Sequence, residues 1–439
     1  MNNINKEDIV KNISEIKKEP RWMLDIRLKA IKSFNEQIMP SFGPKIDIDF
    51  NDITYYKKIS DIIYNDWNNI DKGIRNKFKD IGIEKAEKDY LGGIGVQYES
   101  ETLYHNMKTY INDKKVVFLS TDDALKKYPK LFKKYFNNIV KYDDNKFSAL
   151  NTAFWSGGAF IYVPKGVKLD RPLQSYFWIN DKKMGQFERT IIIVDDNASL
   201  EYIEGCTAVK HIENSLHAAV VEIYVGKNAK CKYTTIQNWS NNVYNLVTKR
   251  AVVEDSGTME WIDGNIGSKI TMKYPACILK GNNSTGRCIT IALADKNQVQ
   301  DTGAKMIHIG NNTKSTILSK SIARNGGIAN YRGLVTISSN SKYSSSKVKC
   351  DTMLLDKTSK SDTYPTNISK NKTSTITHEA TVSKINDEQL FYLMSRGIDK
   401  EKAVELLVMG FLEKFRNELP LEYAVELNNL LRNDLPKTC

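Results

Sequence analysis

The chain has 439 residues, of which 41% are hydrophobic and 26% are charged. That length is enough for a sizeable core and more than one domain, and the composition is typical of a globular protein. No apolar run reaches the length of about 18 residues that a membrane helix needs, so we expect no membrane span and no membrane partner. The net charge of +12 would suit nucleic acid. However, lysine outnumbers arginine about four to one, which is typical of an AT-rich coding sequence, and we expect no direct nucleic-acid partner.

Six cysteines are scattered along the chain, and none belongs to a CxxC pair. A closed zinc site is therefore not expected. The first residues, MNNINKEDIV, lack the basic and apolar segments of a signal peptide and are too acidic for a transit peptide. We therefore expect free thiols in a reducing compartment, without a disulfide framework.

Residues 1–150 form the first predicted domain, which mixes helices with loops. Every fourth residue from Trp22 to Phe34 is apolar, the spacing of a helix stripe that faces a core. Another helix is predicted over residues 122–136, with an interruption near Pro129.

Residues 151–385 form the second predicted domain, in which β-branched runs alternate with turns of Asp, Asn, Gly and Ser. The turns align at Val194, Val225, Val253, Leu279, Ile309 and Ile337. Such a regular interval between long repeating units indicates a solenoid. The pattern predicts a mainly β fold, a right-handed parallel β-helix flanked by N-terminal and C-terminal helical regions. A β-sandwich is the alternative.

Residues 386–439 form the third predicted domain, which is helical again. Asn386 and Gln389 resemble a capping box, and Gly397 can end the helix that they begin. A further helix is predicted from Pro420. Short amphipathic helices of this kind need a surface to lie against, either on this chain or on a partner.

Cys350, in the strand-like run VKCDTMLL, is a candidate metal ligand. His378 and Glu379 follow it in the sequence at a distance of about one coil of the predicted solenoid. A thiolate, an imidazole and a carboxylate within reach of one another suit iron or zinc. Neighbouring strand residues point to opposite faces, so only one of His378 and Glu379 is expected beside Cys350. The alternative is a small buried cysteine without a metal.

Several long stretches of the sequence indicate a relationship to a known family. They are EPRWMLDIRLKA (19–30), YESETLYH (98–105), FIYVPKGV (160–167), EYIEGCTA (201–208), QNWSNNVYNLVTKR (237–250), KMIHIGNNTKSTILSK (305–320), CDTML (350–354), HEATVSKI (378–385) and EQLFYLMSRG (388–397). In this order they closely resemble the SufB family, the scaffold subunits of the SUF iron–sulfur cluster assembly system. The sister subunit SufD is not expected to combine CDTML with HEATVSKI.

The resemblance implies a scaffold rather than an enzyme. The expected partners are the ABC-type ATPase SufC, which would carry the ATPase activity, SufD or a second SufB copy, a cysteine desulfurase with its sulfur-transfer partner, and apoprotein acceptors. The expected cargo is a transient iron–sulfur cluster, [4Fe–4S] or [2Fe–2S], and a reduced flavin is a further expected cofactor.

The resemblance also assigns site residues. Cys206 would accept sulfur, and Cys350 with His378 and Glu379 would hold the nascent cluster. Gln237, Trp239 and Lys249 would line a sulfur route between the two cysteines. Members of the family often have an arginine where this chain has Trp178, and Lys249 is the candidate to replace that cation.

Two other functions fit the sequence. A carbohydrate-active β-helix enzyme would use clustered carboxylates, here Asp351, Asp356 and Glu379. A partner-docking solenoid would need no cluster chemistry.

The AT-rich bias and the absence of a leader predict a plastid-type organelle, such as an apicoplast, as the compartment, with the bacterial cytoplasm as the alternative.

Overall fold

The computed structural model describes residues 5–60, 62–209 and 213–419. The described residues form the helices α1 (Lys6–Ile16), α2 (Arg21–Glu36), α3 (Lys72–Asp80), α4 (Ile83–Asp89), α5 (Thr109–Asp113), α6 (Thr121–Lys127), α7 (Pro129–Tyr135), α8 (Lys146–Phe154), α9 (Asp387–Ser395), α10 (Lys400–Phe411) and α11 (Glu413–Arg416).

They also form the strands β1 (Gly93–Tyr98), β2 (Glu101–Met107), β3 (Val117–Ser120), β4 (Ala159–Val163), β5 (Leu173–Ile179), β6 (Gly185–Gln186), β7 (Arg189–Val194), β8 (Ser199–Ala208), β9 (Ser215–His217), β10 (Val220–Val225), β11 (Lys230–Trp239), β12 (Val243–Val253), β13 (Thr258–Gly267), β14 (Ile270–Lys273), β15 (Ala276–Leu279), β16 (Thr285–Ala294), β17 (Val299–His308), β18 (Lys314–Ala323), β19 (Ile328–Ile337), β20 (Ser345–Leu354), β21 (Thr363–Ser369) and β22 (Thr375–Lys384).

The strands stack into two long sheets. The first sheet has the order β2-β1-β5-β8-β11-β13-β16-β18-β20-β22, and the second runs from β21 through β19, β17, β14, β12, β10, β7 and β4 to β3. The stacked strands of the coils are parallel, whereas the end pairs β1–β2 and β3–β4 are antiparallel. The chain alternates between the sheets as each coil lies on the one before. The predicted mainly β solenoid with flanking helices is confirmed. Strand β1 already belongs to the first sheet, although it lies upstream of the predicted boundary at residue 151.

The register of the second sheet agrees with the predicted turn alignment at all but one position. Val253 pairs with Leu279, and Leu279 pairs with His308, not with Ile309. The predicted alignment at Ile309 is therefore wrong by one residue. The strand ends at His308, whose buried ring bonds to the hydroxyl groups of Thr313 and Ser315, while Ile309 is exposed.

The outer faces of the two sheets are covered by different helices. Outward isoleucines of the first sheet, such as Ile262, pack against Val408 and Phe415 in the C-terminal helices α10 and α11. Helices α1, α2 and α8 contribute to the hydrophobic cluster that includes Leu246 of the second sheet. These helices thus lie on their own chain, as short helices require, whereas α9 has no buried residue. The predicted helix after Pro420, within residues 420–439, lies outside the described residues.

The last coil, formed by β20, β21 and β22, leaves the solenoid open at one end. Strands β21 and β22 are the terminal strands of the two sheets. Their side chains are largely exposed, and Val382 keeps 48% of its surface accessible. None of the helices in the described ranges is both long and apolar enough to cross a membrane.

Candidate functional site

Cys350 lies on the inner face of β20, next to the open end of the solenoid. Its Sγ lies 3.4 Å from Nε2 of His378, and the other ring nitrogen of His378 lies 3.2 Å from the Asn367 amide nitrogen. The backbone of Cys350 pairs with Ala380, and Val348 pairs with His378. The residue stacked on Cys350 is thus Ala380, two residues after His378. His378 therefore contacts Cys350 diagonally, from the same face of the neighbouring strand.

Glu379 points away from this contact. Its carboxylate lies 3.1 Å from Nζ of Lys349, and the Glu379 side chain is 65% exposed. The alternation of strand side chains explains the result, because Lys349 and Glu379 are register partners on the outer face. The structure therefore brings two of the three predicted ligands together, and only the backbone carbonyl of Glu379 approaches Cys350 Sγ, at 3.5 Å.

The electrostatic surroundings keep Cys350 protonated at neutral pH. Burial raises the pKa of the thiol to about 11, and the neighbouring Asp351 carboxylate adds to the rise. Burial also lowers the pKa of His378, so its imidazole is neutral and free to bind a metal. Iron binding at Cys350 must therefore displace the thiol proton. Within the residues that the structure describes, no three His, Cys, Asp or Glu side chains form a group that could hold a metal ion.

Cys206 lies deep inside the first sheet, in β8. Its side chain is 1% exposed and packs in a cluster with Phe177, Met184 and Trp239. Burial raises the pKa of the thiol well above its ordinary value. The nearby Glu204 carboxylate adds to the rise, while the charges of Lys249 and Lys273 oppose it.

Two columns of inward side chains connect the levels of Cys206 and Cys350. The Cys206 column consists of Cys206, Gln237, Asn265, Ala292, Ser321 and Thr352. The Cys350 column consists of Glu204, Thr235, Asp263, Thr290, Ser319 and Cys350. Every member is buried, and nearly all are polar. A solenoid interior is usually filled with apolar side chains, so a continuous polar strip calls for an explanation.

Four buried charges meet where these columns face the second sheet. Lys249 Nζ lies 3.4 Å from Glu204 Oε1 and 3.6 Å from Asp263 Oδ1. Lys273 Nζ lies 3.2 Å from the same Asp263 oxygen and donates to Gln237 Oε1 at 3.1 Å. Asp263 thus forms ion pairs with both lysines. Buried charges persist only when paired in this way, and such groups are frequent at functional sites.

The three predicted route residues occupy different places around this strip. Gln237 is the register partner of Cys206, and Lys249 belongs to the buried charge group. The centroid of the Trp239 ring lies 4.7 Å from the centroid of the His217 ring. Trp178 follows the inward Phe177 on β5 and packs against Phe78 on the outer side, so it does not reach the interior.

Glu204, Asp263 and Lys273 were not among the predicted site residues. For Asp263 a signal exists in the sequence, because it alternates in phase with the apolar Met259 and Trp261 in TMEWIDGNI. Lys273 gives no such signal, because in ITMK it is in phase with the polar Thr271, while Ile270 and Met272 lie on the opposite face. A charged residue at an inward position is a candidate functional residue.

The carboxylates of the predicted carbohydrate-active alternative do not form one group, because Asp351 and Glu379 lie on the outer face near Lys349 whereas Asp356 lies in a turn. Asp356 accepts hydrogen bonds from Thr358 and Ser359 in its own turn. Glu379 pairs with Lys349 on the outer face. A glycosidase needs two carboxylates that face one sugar bond, and here one of the two outer-face carboxylates is bound to a lysine.

The chain matches two family models over most of its length. Residues 10–175 match the SufBD protein N-terminal region, and residues 177–411 match the SufBD core domain of SUF system FeS cluster assembly. An iron-sulfur cluster assembly SufBD family protein of Staphylococcus haemolyticus is 55% identical over 430 residues, covering 98% of this chain and 92% of the relative.

Relatives of the same description resemble the chain equally well. The protein of Staphylococcus saprophyticus is 54% identical and that of Staphylococcus aureus strain MRSA252 is 55% identical, each with the same coverage of both chains. These organisms are bacteria, and the comparisons give no support to the predicted plastid-type compartment.

Proposed function

Because this chain belongs to the SufBD family of iron–sulfur cluster assembly proteins, we propose that it is a SufB-type scaffold on which iron and sulfide are assembled. The contact between Cys350 and His378 carries the proposal. Thiolate and imidazole both ligate iron–sulfur clusters. Two protein donors leave the cargo, a [4Fe–4S] or [2Fe–2S] cluster, incompletely ligated, so that it can be released to an apoprotein.

Cys206 is the proposed sulfur acceptor. Its thiolate attacks the terminal sulfur of a persulfide on the desulfurase system, a new S–S bond forms at Cys206, and the donor leaves as a thiolate that takes up the proton. Because Cys206 is buried behind Phe177 and Met184, this step requires local opening of that cover.

The two polar columns are the proposed path of sulfur to Cys350. Five strand steps separate β8 from β20 in the first sheet. At about 4.8 Å per step, they amount to about 24 Å. Direct exchange between the two thiols is impossible over that distance. A two-electron reductant, for which the expected reduced flavin is the candidate, must first cleave the S–S bond of the Cys206 persulfide, which restores the Cys206 thiolate and releases HS⁻. The HS⁻ must then pass the levels of Asp263, Thr290 and Ser319, whose polar groups can solvate it.

A second subunit is the proposed source of the missing ligands. No other strand of the described part of the chain pairs with the outer edges of β21 and β22 beside Cys350, and exposed strand edges are templates for pairing with another chain. Residues 342–384 carry eight lysines and four carboxylates. Two copies of this end would repel each other, so the charge favours a SufD-like partner with an acidic face over a second copy.

The C-terminal helices are the proposed docking site for SufC. Phe391 and Tyr392 on α9 are 74% and 57% exposed, and Met394 and Leu406 are also exposed. Large apolar side chains grouped on one surface mark a protein interface.

The bacterial relatives make the bacterial cytoplasm the proposed compartment.

Anaerobic reconstitution tests the scaffold function. Wild type, C350A, C206A and the core control C231A are incubated with iron, cysteine and a desulfurase, with SufC present, and read by visible absorption and Mössbauer spectroscopy. We expect no cluster in C350A, loss in C206A that free sulfide rescues, and a normal signal in C231A, whose thiol is buried in the apolar core. Full cluster signal in both C350A and C206A would refute the proposal.

A further inference from the structure

The carboxamide of Gln237 is held in one orientation by its neighbours. Its Oε1 accepts a hydrogen bond from Lys273 Nζ at 3.1 Å and another from Asn245 Nδ2 at 2.8 Å. A lysine ammonium has only donors, so the atom that faces Lys273 must be the carbonyl oxygen. The amide nitrogen, Nε2, therefore points elsewhere.

That nitrogen is buried and has no hydrogen-bond partner among the described residues. The same is true of Trp239 Nε1, which lies in the hydrophobic cluster of Cys206. Leaving a buried donor unpaired is unfavourable, so two such donors, two residues apart on the same face of β11, indicate an acceptor that comes and goes. Gln237 is the backbone neighbour of Cys206 in the next coil.

We propose that Lys273 is a positioning residue for sulfur transfer, which holds the Gln237 carboxamide so that its NH2 group donates to the anionic terminal sulfur of a Cys206 persulfide. The inference rests on the proposed function of Cys206. Lys273 forms and breaks no covalent bond in this role. Its side chain is 1% exposed, and Asp263 is its ion-pair partner at 3.2 Å.

The charge of Lys273 also acts on the sulfur directly. Of the charges near Cys206, Lys249 and Lys273 favour an anion there, whereas Glu204 and Glu188 oppose it. Among the described residues, Lys249 has two carboxylates within 3.6 Å, Glu204 and Asp263, and Lys273 has one, the shared Asp263. Lys273 is therefore the less neutralised of the two cations.

A pH dependence follows from the same surroundings. The titratable groups that face the Lys273 ammonium are Asp263, Glu204, Lys249, Cys206 and Cys288. Burial lowers the pKa of Lys273 to about 8, against the opposing effect of Asp263. Sulfur held at Cys206 should therefore become less stable above about pH 8, and an arginine at position 273 should remove that pH dependence because it stays charged.

The test measures the persulfide on Cys206 after incubation of the full chain with a desulfurase, by alkylation and mass spectrometry. K273M is compared with K273R, Q237A and the control K17M, which removes a buried lysine paired with Asp122 outside the solenoid interior. The double variant D263N/K273M removes both partners of the ion pair and covers the case in which K273M fails to fold.

We expect at least a tenfold loss of persulfide in K273M and in D263N/K273M, retention in K273R and K17M, and a loss in K273M/Q237A that is smaller than the two single losses combined. Cluster assembly from free sulfide at Cys350 should stay normal in K273M. Wild-type persulfide in folded K273M or D263N/K273M would overturn the role of Lys273, and so would additive losses with Q237A. Persulfide transfer that does not require Cys206 would instead refute the proposed acceptor.

Discussion

A bulky side chain inside the solenoid should block sulfur delivery to Cys350 without preventing cluster assembly from free sulfide. Ser319 is the register partner of Cys350 in the preceding coil, and its side chain is buried. The variant S319L places a larger, apolar side chain in the Cys350 column, one strand step before Cys350. Overpacking of this kind costs about 1–3 kcal/mol, less than the typical stability of a domain, so we expect a folded protein.

The magnitude of the block follows from the path length. If sulfur must cover about 24 Å along the columns, the carrier has to pass Ser319, and S319L should reduce desulfurase-dependent cluster formation at least tenfold. Free sulfide reaches Cys350 from the open end and should still support assembly. The assay compares the two sulfur sources by visible absorption under anaerobic conditions.

The matched control is T316L, on the same strand but on the exposed outer face. It should behave as wild type with both sulfur sources. Desulfurase-dependent assembly at the wild-type rate in folded S319L would refute the interior path. Equal loss with both sulfur sources would instead indicate damage to the Cys350 site itself.

Three more predictions concern individual side chains. H378A should still receive sulfur but lose its cluster on gel filtration, because Cys350 would be the one remaining donor, and visible absorption before and after the column measures this. Burial raises the pKa of Glu99 to about 7, so its carboxyl binds a proton more tightly in the folded state. Wild-type stability relative to E99Q should therefore fall by up to about 3 kcal/mol as the pH rises from the ordinary glutamate pKa to neutrality, measured by urea unfolding. E222Q should cost about 3–5 kcal/mol in the same assay, because it leaves the buried Arg189 without its carboxylate.

Most of the solenoid could be predicted from the spacing of its turns. Turns built from Asp, Asn and Gly recur once per coil because each coil must change direction at the same place, and this spacing predicted the correct register from Val194 to Leu279. The alignment failed at Ile309, where an apolar residue follows a strand that ends in the polar but buried His308. The hydrophobic pattern alone could not distinguish a buried histidine from the end of a strand.

The buried charge group could not be predicted in the same way. Asp263 and Lys273 lie close in sequence, but their contact with Glu204 and Lys249 depends on which residues stack in neighbouring coils. Alternation along one strand shows that Asp263 points inward, and only the stacking register shows what it meets. Residues that carry charge into a solenoid interior are therefore best found by listing inward polar positions coil by coil.

The choice between His378 and Glu379 depends on coil length. Because Ala380 is the register partner of Cys350, His378 lies on the inner face and Glu379 on the outer face. A slip of one residue would exchange them and place a carboxylate beside the thiol. A second negative charge would raise the pKa of Cys350 further and oppose release of its proton. Among the strands of the described residues, β22 pairs with β20 alone. A partner strand added to its free edge would fix the register that keeps the imidazole, rather than the carboxylate, at Cys350.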